Sequence, residues 1–482
     1  MRLVLLVLLA ASCSVDKNPD VCCATADQCT SLGLDPTDLR PCGAGQACNA
    51  DHACVAAECT TSDTCPSSSP VCANGLCAAT CTADPDCPTA LPHCDMGACV
   101  ACADDSQCPA AAAICDASTH ACRGCTADAE CTSGVCIEDT GVCAAAAEII
   151  YVGAYAPAND TGECPSAAPC SSIAYAFTKL SASRDVIRLT AETAYLGDSG
   201  ARLIAGDAFI DGKPTLLSGP SLGVAGANLT VENATYTAAA QALVATDVGS
   251  LTLSHATITL SAASSISVDM TSTLKLHDTD VTGPGIATHA IACDTSSLVY
   301  LRSVFHGASS ESMTCDEQVS RSRFFDSKLR GYGGGHVQVD NVLVVSSAGD
   351  DDIFDTKEAA PGSWVRFATF VNQSPVTQSQ AALYCSDNVD VSSVVFAFNS
   401  RDPIDSCTAH DSLFDTPSSP DPFAAGNDIE DASTFFLDAA DGNYHLGASS
   451  PALGHGEPGL ETEDLEGNPR GATPDIGAYE AP

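Results

Sequence analysis

Short stretches in which apolar and polar residues alternate recur along the second half of the chain. Four of them begin at Leu229, Leu251, Leu274 and Leu298, at intervals of 22, 23 and 24 residues. Apolar residues at positions i and i+2 indicate a strand with one buried face. The same pattern continues, at less even intervals, at Val319, Val337, Trp364 and Val389.

A strand every twenty-odd residues, with Gly, Ser, Asn and Asp between, predicts a coil whose rungs stack on one another. We therefore predict an all-β fold, a right-handed parallel β-helix over residues 149–434. A Greek-key sandwich is the alternative, because it also joins short strands by turns. Cys293 and Cys315 are 22 residues apart, as are Cys385 and Cys407. One period of a coil places such residues on neighbouring rungs, about 4.8 Å apart, where a disulfide can form.

The first third of the chain has a different composition. Of the 29 cysteines, 23 precede residue 144, and so many are typical of an oxidising compartment. Within residues 59–143 a four-cysteine unit occurs four times. Each unit has too few large apolar residues for a core, so disulfides must stabilise it. Three pairings are open within each unit. Zinc is disfavoured because, within a unit, four to six residues rather than two separate successive cysteines.

An aspartate recurs in the first loop of every unit, as Asp63, Asp84, Asp105 and Asp128. Single carboxylates from separate units do not supply the roughly six to eight oxygens of a calcium site. We expect these side chains to stabilise turns, and we predict no metal site.

The N-terminus predicts export. Arg2 precedes an apolar run over residues 3–9 and then small residues, as in a secretory signal. The run is too short to span a bilayer, which takes roughly 20 apolar residues. The segment ends at Cys13 and resembles the bacterial lipobox, although Ala10 stands where that pattern usually has Leu. The resemblance implies cleavage before Cys13, lipidation of this residue and a membrane anchor. Ser14 is similar to the residue in lipoproteins that are sorted to the outer membrane.

These features divide the chain into a signal peptide (1–12), an anchor with a divergent cysteine-rich module (13–58), the four repeats (59–143), a linker (144–148), the coil (149–434) and a C-terminal coil-capping region (435–482). The repeats resemble short cysteine-rich repeats in surface lipoproteins of myxobacteria and their relatives, where such repeats look like stiff stalks.

The start of the coil resembles that of pectate-lyase-like β-helix proteins. The shared pieces are Tyr151-Val152, Pro169, Ser172-Ile173, Ala176 and the strand Asp185-Val-Ile-Arg-Leu189. The resemblance implies a short helix that closes the N-terminal end of the coil, with Ile173, Ala176 and Phe177 facing it. Cys164 and Cys170 are predicted to form a local disulfide.

Residues 435–480 resemble the end of bacterial surface β-helix proteins of the choice-of-anchor Q type. The matching pieces are Gly442-Asn-Tyr-His-Leu446, Ser449-Ser-Pro-Ala-Leu453, Asp464-Leu-Glu-Gly-Asn-Pro-Arg470 and Pro474-Asp-Ile-Gly-Ala-Tyr-Glu480. The resemblance implies a segment that terminates the coil, with Ile476 and Tyr479 over the last rung. Arg470 is expected to pair with Asp475 or Glu480, and no catalytic residue is implied.

The charge balance narrows the partners. With 61 acidic and 19 basic side chains the net charge is −42, which argues against nucleic-acid binding. Residues 302–366 are the one basic stretch, and their aromatic and charged groups suit a sugar-acid chain. The candidate ligand-binding residues are Arg302, Arg323, Arg366, Asp326, Asp350 and Asp352. A polar ladder, interpreted as turn side chains that bond to the backbone, is predicted at Asn233, His255, Asp278, Arg302, Arg323 and Asn341.

The leading hypothesis is a cell-surface outer-membrane lipoprotein whose coil serves adhesion, glycan binding or surface structure without catalysis. Its expected partners are the membrane, through the lipid anchor, and a polysaccharide or another surface protein. The first alternative is a polysaccharide lyase or glycoside hydrolase on the flank of the coil, and the second is a structural spacer. Pectate-lyase-like enzymes use calcium with a basic residue, or paired carboxylates, but their motifs do not match here. We therefore predict no catalytic residue and no cofactor, with calcium only under the lyase alternative.

Overall fold

The computed structural model describes residues 22, 42, 46–48, 54–65, 71–73, 76–78, 80–154, 160–238, 243–261, 266–285, 289–347, 354–373, 381–399, 403–415 and 427–481. The predicted signal peptide, Cys13, Asp350 and Asp352 lie outside these residues, so their roles stay predictions. The chain divides into two compact units, Met1–Cys143 and Ala144–Pro482. In the part that is described, no helix has the length and apolar character to cross a membrane.

The first unit is built from antiparallel hairpins and single 3₁₀ turns. Its paired strands are β1 (Gln46–Cys48) with β2 (Cys54–Ala56), β3 (Val71–Ala73) with β4 (Leu76–Ala78), β5 (His93–Asp95) with β6 (Ala98–Val100), β7 (Ile114–Cys115) with β8 (Cys122–Arg123), and β9 (Cys136–Ile137) with β10 (Val142–Cys143). The 3₁₀ turns cover Ser62–Thr64, Asp84–Asp86, Asp105–Gln107, Ala110–Ala112 and Asp128–Glu130.

Disulfides join the first cysteine of each repeat to the third and the second to the fourth, with Cα atoms 5.4 to 5.9 Å apart. The pairs are Cys59–Cys72, Cys65–Cys77, Cys81–Cys94, Cys87–Cys99, Cys102–Cys115, Cys108–Cys122, Cys125–Cys136 and Cys131–Cys143, preceded by Cys22–Cys48 and Cys42–Cys54. The pairing that the sequence left open is therefore the same in every repeat. These bonds leave the clustered cysteines without the thiolates that zinc requires.

The recurring aspartates fasten each 3₁₀ turn to its hairpin. Asp84 accepts the N–H of Cys94 at 2.8 Å, and Asp128 accepts that of Cys136 at 3.0 Å. Asp63 instead accepts the Thr89 hydroxyl of the next repeat at 2.7 Å. These carboxylates satisfy backbone donors and link neighbouring repeats, which is a structural use.

The second unit contains three faces of parallel strands, which we call faces A, B and C. Face A contains β11 (Ile149–Val152), β12 (Val186–Leu189), the first parts of β15 (Asp207–Ser218) and β17 (Asn228–Ala238), β19 (Ser250–Ser254), β22 (Thr273–His277), β25 (Ser297–Leu301), β28 (Asp316–Ser320), β31 (Val337–Asp340), β34 (Ser363–Arg366), β37 (Val389–Ser392) and β40 (Ala409–His410). Face B contains β13 (Thr193–Tyr195), the second parts of β15 and β17, β20 (Thr257–Leu260), β23 (Asp280–Thr282), β26 (Val304–His306), β29 (Arg323–Phe325), β32 (Leu343–Ser346), β35 (Thr369–Asn372), β38 (Val395–Ala397), β41 (Leu413–Phe414) and β42 (Asp428–Ile429). Face C contains β14 (Ala201–Leu203), β16 (Leu222–Ala225), β18 (Leu243–Thr246), β21 (Ile266–Val268), β24 (His289–Asp294), β27 (Ser309–Met313), β30 (Lys328–Tyr332), β33 (Phe354–Thr356), β36 (Leu383–Cys385) and β39 (Ile404–Asp405).

Each of these strands pairs in parallel with the corresponding strand of the next rung. A Greek-key sandwich would pair its strands antiparallel. The strand pairing therefore confirms the parallel β-helix and excludes the alternative fold.

Residues at the same position of successive rungs form a column. One interior column of face A follows the predicted spacing at first and then departs from it. The column runs through Leu229, Leu251, Leu274, Leu298, Glu317 and Val337. Val319, which the pattern placed in this column, lies beside Tyr300 in the next column instead. The assignment was wrong by two residues because an interior carboxyl, that of Glu317, breaks the apolar alternation.

A second interior column, on face B, is largely aromatic. Its members are Val281, Phe305, Phe324, Val344, Phe370, Phe396 and Phe414. The rings of Phe305 and Phe324 stack with centroids 4.6 Å apart. Where Val344 interrupts the column, Phe354 of face C inserts edge-on, 5.5 Å from Phe324 and 5.4 Å from Phe370. The rings therefore form a continuous core, and each such contact adds on the order of 0.5–1.5 kcal/mol to the effect of burial.

At the corner between faces A and B, one residue per rung has left-handed backbone conformation. These residues, with φ from 47° to 56°, are Asn233, His255, Asp278, Arg302, Arg321, Asn341, Phe367, Ser393 and Asp411. The polar ladder was predicted along this line, but Arg321 takes the place assigned to Arg323 because of the same two-residue shift. Corner N–H groups donate to the next rung, as from Asp278 to Leu301 at 2.9 Å, which offsets part of the strain of non-glycine residues there.

A short helix, α1 (Ile173–Phe177), lies at the N-terminal end of the coil, where the sequence predicts it. The Ser172 hydroxyl accepts the N–H of Tyr175 at 3.2 Å and caps the helix. Ile173 and Ala176 are fully buried in the core of the coil. The helix therefore covers the apolar interior of the first rungs.

Three disulfides lie in the second unit, and they join the residues that the sequence analysis paired. They are Cys164–Cys170, Cys293–Cys315 and Cys385–Cys407, with Cα atoms 5.0, 6.2 and 5.4 Å apart. The second and third connect neighbouring rungs.

Residues 435–481 lie along face B, not only over the last rung. A 3₁₀ turn at Ala432–Thr434 precedes them, and they include a second 3₁₀ turn at Ala439–Asp441 and the hairpin of β43 (Phe436–Asp438) and β44 (Asn443–Leu446). The segment and the outer side of face B share one buried cluster: Leu343, Val345, Val371, Val395, Ala397 and Leu413 with Phe435, Phe436, Tyr444, Leu446, Ala452, Leu465, Ile476, Ala478 and Tyr479. The expected capping of the last rung is thus replaced by lateral packing, because these strands of face B are apolar on both sides.

Arg470 fastens this segment to the coil. Its guanidinium donates to Asn341 Oδ1 at 2.7 Å, to the Gly477 carbonyl at 2.8 Å and to the Glu480 carboxylate at 3.1 Å. The Asp475 backbone carbonyl accepts a further bond at 3.2 Å. Because the side chain is completely buried, removing Glu480 would leave a buried charge without its counter-ion.

Glu317 is an ionisable residue in the interior of the coil. Its side chain is fully buried, and its neighbours Ser310 and Ser312 are buried on face C. Burial raises the pKa of Glu317 to about 8, although hydrogen bonds from the two serines lower it.

Replacing Glu317 by Gln is expected to remove a pH-dependent destabilisation. The carboxyl has an ordinary pKa of 4.5 and a folded-state pKa of about 8, so between these values the folded state binds the extra proton and stability falls as pH rises. Above about pH 8 the variant should be more stable than the wild type by a few kcal/mol, since each pKa unit corresponds to about 1.4 kcal/mol. Denaturant unfolding at a series of pH values measures the difference. Glu192→Gln, at an exposed position, is the control, and a difference independent of pH would contradict the account.

Candidate functional site

The described ligand-binding candidates lie at separate places on the coil. Arg302 is at the corner between faces A and B, and Arg323 begins β29 on face B. Arg366 ends β34 on face A, and Asp326 follows β29 at the next corner. Arg302, Arg323 and Arg366 thus lie near one corner of the coil but on different rungs, and Asp326 lies at another corner.

Several of these side chains have partners on a neighbouring rung. Arg302 donates to both carboxylate oxygens of Asp278, at 2.7 and 2.5 Å. Asp326 accepts the N–H of Ser347 at 2.6 Å and its hydroxyl at 2.9 Å. Such pairs hold consecutive rungs in register.

A run of glutamates in the C-terminal segment neutralises another part of the basic stretch. We call residues 457–466 the acidic segment. Glu463 forms an ion pair with Arg321, and Glu466 forms one with Arg323 at 3.3 Å. These pairs are partly exposed, so each contributes roughly 0–1 kcal/mol. The chain itself thus supplies the anions that these arginines contact.

A different group of residues faces outward on the late rungs of face A. Ser363 and Val365 point into the coil and are buried, so Trp364 between them points outward and is half-buried. Its column on face A contains Gln318, Gln338, Trp364 and Asp390. We call the following set the Trp364 surface: Gln338, Asp340, Trp364, Arg366, Asp390, His410 and Glu461.

Ion pairs fix the polar groups around the indole. The Arg366 guanidinium carbon lies 5.0 Å from the Trp364 ring centroid, a cation–π contact. Arg366 also donates to Asp390 at 2.6 Å, and His410 Nε2 is 3.0 Å from the other oxygen of that carboxylate. The Nδ1 atom of His410 is 2.9 Å from Asp411. Arg366, Asp390 and His410 are therefore each held by two neighbouring side chains.

These contacts shift the pKa values of Asp390 and His410 in opposite directions. Burial opposes ionisation of Asp390, but hydrogen bonds from Arg366 and His410 outweigh it and lower the pKa of this carboxyl. Burial likewise opposes the charge on His410, but hydrogen bonds to Asp411 and Asp390 raise its pKa. Around its ordinary pKa, His410 is therefore more often an imidazolium paired with carboxylates than a free histidine would be.

Two further carboxyls of the Trp364 surface have raised pKa values. Burial raises the pKa of Asp340, although the Ser320 hydroxyl bonds to it at 2.5 Å. Burial and the negative charge of Asp340 raise the pKa of Glu461, which belongs to the acidic segment. The charge of Asp340 therefore opposes ionisation of Glu461.

Sequence reasoning found only one member of the Trp364 surface, Arg366. Trp364 was assigned to a buried strand position because the adjacent interior residue is a serine. Asp390 and His410 fall on later rungs, and Glu461 reaches the surface from the C-terminal segment. The one signal for this place was the single tryptophan of the chain.

The comparisons with known proteins add little to this geometry. No protein-family model matches the chain, and no curated protein matches it. Among solved structures, the chain is similar to the crystal structure of pectate lyase Pel9A, with 16% sequence identity and a TM-score of 0.45. The similarity covers 74% of this chain and 100% of that one. At this distance it carries no inference about activity, and the fold assignment depends on the strand pairing itself.

Proposed function

We propose that this protein is an exported glycan-binding protein whose coil presents the Trp364 surface to a neutral carbohydrate chain. The observation that carries the proposal is the outward-facing indole of Trp364 between the polar side chains of Gln338 and Asp390 in one column. An aromatic ring offers an apolar face to the C–H side of a sugar ring. Amide and carboxylate groups beside it supply the few directed hydrogen bonds that fix orientation in a binding site.

Charge favours a neutral ligand over a sugar acid. Asp390 lies beside Trp364 in the same column, Asp340 lies on the neighbouring rung beside Arg366, and the whole chain carries a net charge of −42. The field of such a surface repels a polyanion. The basic groups that suggested a sugar-acid ligand are engaged with carboxylates: Arg302 with Asp278 and Arg366 with Asp390.

Export and anchoring complete the proposal. Disulfides occur in both units, and such bonds persist in oxidising compartments outside the cytosol. The lipobox-like sequence at Cys13 would attach the protein to the outer membrane, and the cysteine-rich repeats would separate the coil from it. Glycan binding would then act in adhesion at the cell surface.

A glycoside hydrolase is the second candidate, favoured by the two carboxyls Asp340 and Glu461. Their pKa values are both raised, and the charge of one acts on the other. Glycosidases use one carboxylic acid to protonate the leaving oxygen and one carboxylate as base or nucleophile. In that case Trp364 would hold the sugar beside them.

Binding at the Trp364 surface is expected to change the intrinsic fluorescence of the protein, because Trp364 is the only tryptophan. Neutral hexasaccharides such as cellohexaose and xylohexaose, chosen by a glycan array, are titrated into the protein. Trp364→Ala should weaken binding about tenfold or more by calorimetry, which corresponds to about 1.4 kcal/mol, and Trp364→Phe should keep part of the affinity. Tyr384→Ala, which removes an aromatic ring from face C, is the control. Equal affinity in Trp364→Ala would refute the assignment, and a chain that binds no neutral glycan would support the spacer alternative.

The hydrolase candidate predicts new reducing ends. The wild type should cleave the same hexasaccharides and so generate new reducing ends. Asp340→Asn and Glu461→Gln should each abolish cleavage while binding persists. Glu358→Gln, at an exposed glutamate, is the matched control. Bound but intact hexasaccharides would sink this candidate and leave the binding proposal in place. Polygalacturonate with and without calcium tests the lyase alternative in the same assay.

The predicted lipid anchor at Cys13 can be tested by cell fractionation. Cys13→Ser should move the exported protein from the membrane fraction to the soluble fraction, because no acyl chain can be attached. Ser12→Ala keeps the cysteine and should leave the protein with the membrane. Membrane retention of Cys13→Ser would show that the lipobox interpretation is wrong.

A further inference from the structure

A cleft of about 410 Å³ lies beside α1 at the N-terminal end of the coil, far from the Trp364 surface. Its lining includes Asp160, Tyr175, Tyr195, Gly197, Asp198 and Gly200. This volume falls within the range of small-molecule binding sites, roughly 300–1,000 Å³. Eight rung steps on face A separate β12 from β34, or roughly 38 Å at about 4.8 Å per step.

Two aromatic side chains line the cleft from different elements. Tyr175 lies on α1 and Tyr195 ends β13, and both are half-buried. The N–H of Ala174 donates to the Leu196 carbonyl at 2.9 Å, and Ser172 forms a parallel bridge with Tyr195. These backbone links fix the helix against the strand, so the two rings keep a set relation to each other.

The polar groups of the cleft are also held in place. The Tyr195 hydroxyl donates to Asp198 at 2.6 Å. Asp160 accepts the Ser172 hydroxyl at 2.7 Å and the Ser171 N–H at 2.9 Å. A site whose groups are fixed before binding loses less entropy when a ligand arrives.

Two glycines on one side of the cleft pack closely against neighbouring residues. Gly197 has φ 130°, and a Cβ there would lie 2.8 Å from Ala174 Cβ. Gly200 has φ 82°, and a Cβ there would collide with Ser221. A side chain at either position would therefore displace the wall of the cleft.

We propose that this cleft binds one pyranose residue of a neutral glycan. The inference rests on the proposed glycan binding and extends it to a second site, which a long chain could occupy together with the Trp364 surface. The Tyr195 ring gives apolar contact, and the carboxylates accept hydroxyl hydrogens. A neutral sugar is favoured over an ammonium ligand because Lys179 Nζ already lies 4.8 Å from the Tyr175 ring centroid and so occupies its cation–π position.

The test uses the full chain and methyl glycosides of glucose, galactose, mannose and xylose, with saturation-transfer NMR and calorimetry as readouts. A glycoside should still bind Trp364→Ala. Adding Tyr195→Ala to that variant should weaken binding about tenfold or more, while Tyr195→Phe, which keeps the ring, should retain most of it. If Tyr195→Ala fails to fold, Ser199→Trp replaces it: this substitution fills the cleft from an exposed position and, added to Trp364→Ala, should abolish the remaining binding.

The outcomes separate the two sites. Complete loss of binding in Trp364→Ala, with no effect of Ser199→Trp, overturns this inference and leaves the proposed function intact. Two binding sites in the wild type and one in either single variant are the result expected if both proposals hold. Binding that Trp364→Ala leaves unchanged in stoichiometry and affinity, and that Ser199→Trp alone abolishes, retains the cleft and refutes the Trp364 surface. Binding of tetramethylammonium in the cleft in place of any glycoside also overturns the inference.

Discussion

The parallel register between successive rungs is the constraint on which the rest of the structure depends. Each strand pairs with its counterpart one rung on, so every residue of a rung has a fixed neighbour before and after it. Interior positions become columns such as the aromatic column of face B. Where a small residue, Val344, interrupts that column, a ring from another face, Phe354, fills the space. A substitution at one interior position therefore alters the packing of both adjacent rungs.

The same register turns outward positions into lines of interacting charges. Asp278 meets Arg302, and Asp390 meets both Arg366 and His410, because their strands and corners are adjacent. The C-terminal segment adds a second source of partners, since its glutamates run beside the arginines of the corner. In the sequence, the basic stretch over residues 302–366 indicates a ligand site. In the structure, its arginines largely form ion pairs that hold the protein together. The half-buried indole of Trp364 on face A lies beside these pairs, in cation–π contact with Arg366.

The sequence was sufficient for the fold class, since regular leucines from Leu229 to Leu298 fix a period, and paired cysteines one period apart distinguish a coil from a sandwich. It failed where an interior residue is polar. Glu317 and Ser363 both face the core, so apolar alternation placed Val319 and Trp364 in the wrong columns. No local pattern reports that a carboxyl will be buried, because its environment is created by residues of other rungs.

The candidate site was harder to predict for a related reason. The spacing between rungs changes along the chain, so Trp364 and Asp390 are 26 residues apart while Leu298 and Glu317 are 19 apart. Glu461 comes from a segment that packs along face B, where the sequence suggested a cap over the last rung. Repeat spacing alone could also not choose among the disulfide pairings of the N-terminal repeats.

The central claim is that the coil uses the Trp364 surface to hold a neutral glycan. A crystal structure of the protein with a bound neutral hexasaccharide tests it most directly. The account predicts a sugar ring over the Trp364 indole, with hydroxyls bonded to Gln338 or Asp390. A well-defined sugar chain on face C, or one seated on Arg302 or Arg323 while the indole stays uncovered, would contradict it.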